Sequence, residues 1–305
     1  MMRFMLKRVL LSLGVCFVVV ILSFILTRMS GDLATAIGGP NASAEDIELI
    51  RRAYDLDKSM VEQFFNWAAR AIQGDLGDSF FFREKVSVLI AERLPITLTL
   101  GFFGMLTGLV MALPLGMLAA MREGGPMDRF VLFFTSLNQA MPSFWVALIL
   151  MIVFGLKLRW LPISGTESWL SFVMPALVLG LAVLPALARL TRSGMIRALS
   201  SDYIRTARAK GLSKFQIVAK HALRNAAIPI VSIAAVQFGS LLGGSVVVET
   251  VFALHGVGYL AWESIGKADI AVIQAIVLLL ALIYVALTLF ADLLNALLDP
   301  RLRSK

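Results

Sequence analysis

Cysteine is almost missing from this chain: Cys16 is the only one in 305 residues. A single thiol builds neither an intrachain disulfide nor a cysteine metal site. Histidine is nearly as scarce, with His221 and His255 alone, and the topology read below puts them on opposite membrane faces, where they cannot share a metal. No GxxxxGK[ST] loop is present, because Gly266-Lys267 runs into Ala268, so the chain holds no nucleotide through that motif. HExxH and GxSxG are missing too. Ionisable side chains are sparse in the middle of the long apolar runs, which argues against intramembrane catalysis and against the buried carboxylates of an ion-coupled carrier. The nearest candidates, Glu249 and Asp292, fall near run ends and read as interfacial. The sequence thus has no catalytic residue and no metal site to offer.

What the chain has is apolar residues, 59% of the total, with a mean hydropathy of +0.84. Soluble domains hold about 45–50%, so the excess calls for lipid as solvent. The runs are continuous rather than alternating and reach the ~20 residues that cross a bilayer as helix. Backbone groups in lipid must pair within their own segment. The expectation is an all-α membrane protein with six spans, near 9–29, 96–120, 130–154, 172–190, 228–248 and 271–295. The first run is longer than the ~7–15 apolar residues of a signal peptide and reads as a retained anchor. With the N-terminus inside, the short inner segments hold 17 lysines and arginines and the short outer loops 3. That bias puts both termini in the cytoplasm. It also explains the net charge of +8 without nucleic acid.

Four regions follow: an anchor helix at 1–29, an outer segment at 30–95, a five-helix core at 96–299 with a cytoplasmic segment at 198–224, and a tail at 300–305. In the outer segment, Ser43 is placed to cap an amphipathic helix from Ala44. Phe64, Phe65 and Trp67 argue for an ordered helical cap rather than a solvated linker.

The stretch 202–224 is the most informative. Each of its basic groups would cost roughly 2.5–3.5 kcal/mol at mid-membrane, so it stays in water or among headgroups. Asp202 can cap a short helix, Gly211 permits a reversal, and Phe215, Val218 and Ala222 return at helical spacing. From the residues alone two readings stay open: a helix that enters a groove on a cytosolic partner, with Ala207 and Gly211 allowing close approach, or a basic patch held by anionic lipid.

These residues resemble the permease subunits of ABC importers for dipeptides, oligopeptides and nickel. YIRTARAKGL at 203–212 followed by HALRNAAIP at 221–229 is similar to that branch's form of the importer signature. Further matches run through nearly the whole chain: Gly31-Asp32, Tyr54-Asp55-Leu56-Asp57, GDLGDS at 74–79, Arg93-Leu94-Pro95-Ile96-Thr97-Leu98, Pro142-Ser143-Phe144-Trp145, Glu249-Thr250-Val251-Phe252 and Gly256-Val257-Gly258. Leu33, His255 and Ala271 stand where the branch commonly has proline.

The resemblance implies a type I permease fold in a bacterial inner membrane and a pathway shared with a second homologous permease. It also implies two cytosolic ATPases, which bind ATP and Mg, and a periplasmic binding protein that delivers a small solute, most simply a di- or oligopeptide. Tyr203, Arg205, Thr206, Ala207, Gly211 and Leu212 are then the ATPase-coupling residues. Asn138, Gln139, Gln237, Gly239 and Gly243 belong to the path or to helix packing. Glu249, His255, Gly256 and Gly258 are placed at an outer gate or docking site. Pro142 is placed to bend the third span. A channel or carrier not driven by ATP is the alternative, and membrane lipids are partners in either case.

Overall fold

The computed structural model describes residues 2–29, 33–39, 42–53 and 55–298. The motif residues Gly31, Asp32 and Tyr54 and the tail at 300–305 lie outside them. The described residues form α1 (Met2–Met29), α2 (Leu33–Gly38), α3 (Ala44–Ala53), α4 (Met60–Ile72), α5 (Val86–Met121), α6 (Pro126–Ala140), α7 (Ser143–Leu150), α8 (Val173–Leu199), α9 (Asp202–Ala209), α10 (Leu223–Val251), α11 (Val257–Gly266) and α12 (Ile270–Leu298). Five helices are long and apolar enough to cross a membrane, and the bent pair α6–α7 makes a sixth if counted as one span.

Pro142 explains that bend. It has no N–H to donate, so α6 stops at Ala140 and α7 restarts at Ser143. The two axes differ by 99°. The pair still connects the two ends of the bundle. Asp128, in the first turn of α6, is bonded to Arg192 near the end of α8. Beyond α7 and its π-type continuation Met151–Lys157, Gly165 N–H donates to the Phe252 carbonyl just past the end of α10 (3.3 Å).

The apolar runs under-reported helix length. α5 begins at Val86, ten residues before the expected span, so the end of the 30–95 segment already belongs to it. α8 and α10 likewise run past the expected spans at the end that carries α9. Hydropathy marks only the part of a helix that lies in lipid.

The centre of the bundle is the α5–α8 seam. Gly104 lies on Leu179, and Gly108 lies on Val183 and Gly180. A methyl group at Gly180 would sit 2.9 Å from the Gly108 nitrogen, so the two backbones are in contact. Small residues at this spacing let helices approach in lipid, where dispersion takes the place of the hydrophobic effect. Leu100, Val178, Leu184 and Leu187 fill the same core. The glycines singled out from sequence behave differently. Gly239 packs on Tyr284 of α12, whereas Gly243 and Gly244 meet nothing among the described residues.

α1 is peripheral and packs on α12. Arg8 pairs with Asp292 (3.1 Å), which places the start of α1 and the last turns of α12 together. At the other end Phe24 of α1 meets Phe64 and Trp67 of α4, with ring centroids 5.4 and 5.9 Å apart. α3 is capped as its sequence predicts: Asp46 N–H donates to Ser43 Oγ and Ser43 N–H to the Asp46 carboxylate, both at 3.1 Å. α4 therefore lies at the end of the bundle opposite α9, and α2 packs on α3.

Candidate functional site

α9 is a two-turn helix held between two long ones. Ser201, in an extended conformation, precedes it without a side-chain cap bond. Asp202, expected as the cap, instead lies in the first turn, where a carboxylate opposes the positive helix end. Gly211 at φ +75° closes the helix: its N–H donates to the Arg208 carbonyl (3.0 Å), and Leu212 N–H reaches the Ala207 carbonyl (3.3 Å). Ser213 and Gln216 then start the return, Gln216 N–H donating to Ser213 Oγ and Ser213 N–H to Gln216 Oε1. The chain passes through the π-type turn Gln216–Ala222 into α10.

Two side chains fasten α9 to its neighbours. Ile204 and Ala207 are buried in a cluster with Met195 and Ala198 of α8, Ile217 and Ala222 of the π turn and Ala226 of α10. α9 is thus packed against both long helices at once. Ala207 was expected to face a partner together with Gly211, but at 6% exposure its methyl belongs to the chain's own core. A small residue lets the helix lie close to its own bundle as readily as to a partner, and sequence spacing does not say which. Tyr203, Arg205, Thr206 and Gly211 are exposed and Leu212 is half-buried. Phe215, at 80% exposure, extends the exposed surface. It shares helical spacing with Val218 and Ala222, of which Ala222 is buried and Val218 half-buried.

One turn before Met195 on α8 lies a clamp to α6 that the sequence did not disclose. The Arg192 guanidinium grips both oxygens of Asp128, and Gly124 N–H adds a third bond (2.8 Å). Asp128 is 2% exposed. Next to it, Arg189 donates to Gln139 (2.9 Å) and Asn138 donates to the Leu181 carbonyl. Asn138 and Gln139 therefore both join α6 to α8. Gln237 is half-buried on α10.

The cap end holds the second site. Glu249, read from sequence as interfacial, is fully buried. Thr97 Oγ1 of α5 donates to its Oε1 (2.8 Å), Ser245 Oγ lies 2.8 Å from the same oxygen, and Tyr259 N–H of α11 donates to Oε2 (2.9 Å). Thr97 also accepts from Val257 N–H (2.8 Å). One carboxylate thus ties α5, α10 and the first turn of α11. Gly256 and Gly258 make room for it: a methyl at Gly256 would fall 2.5 Å from both Glu249 and Thr97. His255 is exposed, with its ring 4.7 Å from that of Tyr259. The sequence carried every member of this knot, but Thr97 and Glu249 are 152 positions apart and no spacing rule links them. No cluster of metal-binding side chains occurs among the described residues.

Comparison with known proteins agrees with this architecture. Residues 112–304 match the family described as binding-protein-dependent transport system inner membrane component. Residues 1–101 match the N-terminal family of the same membrane components. The glutathione transport system permease protein GsiC of Escherichia coli K12 is 40% identical over 306 residues, covering 100% of both chains. The protein of that name from Shigella boydii serotype 4 is 39% identical with the same coverage. Among solved structures, the inward-facing MetNI methionine ABC transporter superposes with a TM-score of 0.59 at 20% identity, over 69% of this chain and 96% of that one. An amino acid ABC transporter gives 0.51 at 20% identity, over 70% and 94%. At such identity the likeness is one of fold. The chain belongs to the binding-protein-dependent transport system inner membrane component family and is a multi-pass inner-membrane permease subunit of an ABC importer.

Proposed function

We propose that this permease, paired with a second homologous permease, carries a peptide-like solute of the di- or oligopeptide and glutathione class, delivered by a periplasmic binding protein. Both termini and α9 lie in the cytoplasm, and the cap and α11 face the binding protein. Two cytosolic ATPases bind ATP and Mg and seat α9 in a groove. This chain takes no part in hydrolysis. One observation carries the coupling role: Ile204 and Ala207 anchor α9 to α8 and α10 at once, while Tyr203, Arg205, Thr206 and Phe215 are left exposed. Closing of the ATPase pair then moves α9, α9 moves two spans, and the bundle exchanges its two states. Such a shift requires only that the partner bind the two states unequally.

The relatives named for glutathione supply the substrate reading. The test is uptake into proteoliposomes holding the assembled importer, with glutathione, dipeptides, oligopeptides and a nickel chelate offered in turn with the binding protein. Uptake of the nickel chelate alone would refute the peptide class. Tyr203→Glu combined with Phe215→Glu tests the coupling surface: the spans insert normally and the ATPases no longer co-purify. Undiminished co-purification removes α9 from the interface.

A further inference from the structure

At the cap end, a cavity of about 200 Å³ opens between the end of α1, the end of α4, the loop at 74–80 and the turn from α11 to α12. Arg28, Arg70, Lys267 and Gln274 line it, with Trp67 in its wall. Two of these donors lack an acceptor among the described residues. Arg28 Nε and Gln274 Nε2 are each buried without a hydrogen-bond partner, and Gln274 is only 5% exposed. A buried donor left unpaired costs more than a typical bond contributes, so groups of this kind mark a place where something is bound.

The charges point the same way. Arg28 and Arg70 are close enough to repel one another. No ion pair joins Arg28, Arg70 or Lys267 to a described carboxylate. Arg28 lies over the Phe24 ring at 5.2 Å, and Lys267 over the Phe81 ring at 4.7 Å. Asp75, Asp78 and Asp269 line the same cavity, but none of them is ion-paired with these cations. Asp269 Oδ2 accepts from the Ser79 hydroxyl and from Phe81 N–H, Asp75 Oδ1 accepts from Gly77 N–H, and Asp78 is exposed. Water can fill the space, but no carboxylate of the lining is bonded to the two adjacent guanidiniums.

We infer that this cavity binds a phosphate-class oxyanion. Guanidinium groups match that geometry with paired N–H donors, and the Gln274 amide adds a neutral donor. Its height in the bundle identifies the sources. The apolar span of α1 ends at Ile25 and that of α12 starts at Ile270, so Arg28 and Lys267 lie about one helical turn beyond the hydrocarbon. That is headgroup level, where tryptophan also collects. The anion is therefore a phospholipid headgroup or a phosphate free in solution. Neither the transport role nor the coupling role requires this site, so it stands or falls separately from both.

The assembled importer, purified in detergent, tests the inference by native mass spectrometry and thermal unfolding with two probes: phosphatidylglycerol and inorganic phosphate. Wild type retains phosphatidylglycerol about tenfold better than the Arg28→Gln/Arg70→Gln double variant if the source is lipid, given the loss of charge-assisted bonds. If the source is free phosphate, inorganic phosphate raises the unfolding temperature of wild type and not of the variant. Gln274→Leu removes a donor that serves no internal bond, so it folds and weakens the same response. Arg159→Gln, outside the cavity, leaves it intact. Equal responses of wild type, the double variant and Gln274→Leu to both probes overturn the inference. So does binding that an acidic protein partner alone displays.

Discussion

The exposed face of α9 and the knot around Glu249 handle polar groups in opposite ways. On α9 itself, charge is turned outward: Arg205 and Asp202 pair at 3.3 Å with side chains 78% and 94% exposed, a geometry worth little to stability. At the cap end, the Glu249 carboxylate is fully buried and every bond it accepts comes from within the chain. The first arrangement leaves bonding capacity for a partner. The second uses it up to hold α5, α10 and α11 in one register. A permease needs both, because a force applied at one end has an effect at the other only if the connecting helices do not slip.

The strongest way to break this contrast is to cut the clamp that joins α6 to α8. Arg192→Ala leaves Asp128 buried without its cation and is expected to cost about 3–5 kcal/mol. The readout is a fall in the unfolding temperature in detergent, with Arg192→Lys recovering part of it. If Arg192→Ala matches wild type, the α9 end has no rigid base and the comparison fails.

Next in size is Glu249→Ala, which strands the Thr97 hydroxyl and the Tyr259 N–H at about 1–3 kcal/mol for each group left unsatisfied. Glu249→Gln keeps an acceptor and is expected to lose less, and thermal unfolding ranks the three proteins. Equal losses for Gln and Ala would mean that charge, rather than hydrogen bonding, holds the cap end together.

Phe215→Ala and Tyr203→Ala then sharpen the contrast from the exposed side. Each changes stability by no more than roughly 0.5 kcal/mol, as for surface positions, while ATPase co-purification falls. A stability loss comparable to that of Glu249→Ala would show these rings to be structural. The smallest overall effect is expected from Arg205→Ala, where losing an exposed i,i+3 pair costs about 0.2–0.5 kcal/mol and high salt erases the difference from wild type.

How far the sequence could be read depends on the range of the interaction. Pro142 breaks the third span and Ser43 caps α3 because both act through neighbours within a few residues. Gly211 closes α9 for the same reason. The ends of α5, α8 and α10 lie beyond the apolar runs, since a hydropathy run reports apolar composition and not hydrogen bonding. The glycine motif on α10 drew notice, yet the tighter seam is Gly104 and Gly108 on α5. Spacing shows that a helix has a small face, and only a neighbour shows whether that face is used.

An apolar helical bundle, a basic loop kept out of lipid and a turn at Gly211 all follow from local chemistry: transfer cost, charge and backbone sterics act on each segment separately. The burial of Ala207 and the exposure of Phe215 do not follow from it, because both sit at helical spacing and differ only in what lies opposite. Glu249 likewise reads as an ordinary interfacial acid until Thr97 and the α11 backbone close around it. Groups far apart in the chain share a carboxylate only once packing has brought their helices together, so their roles belong to the assembled bundle.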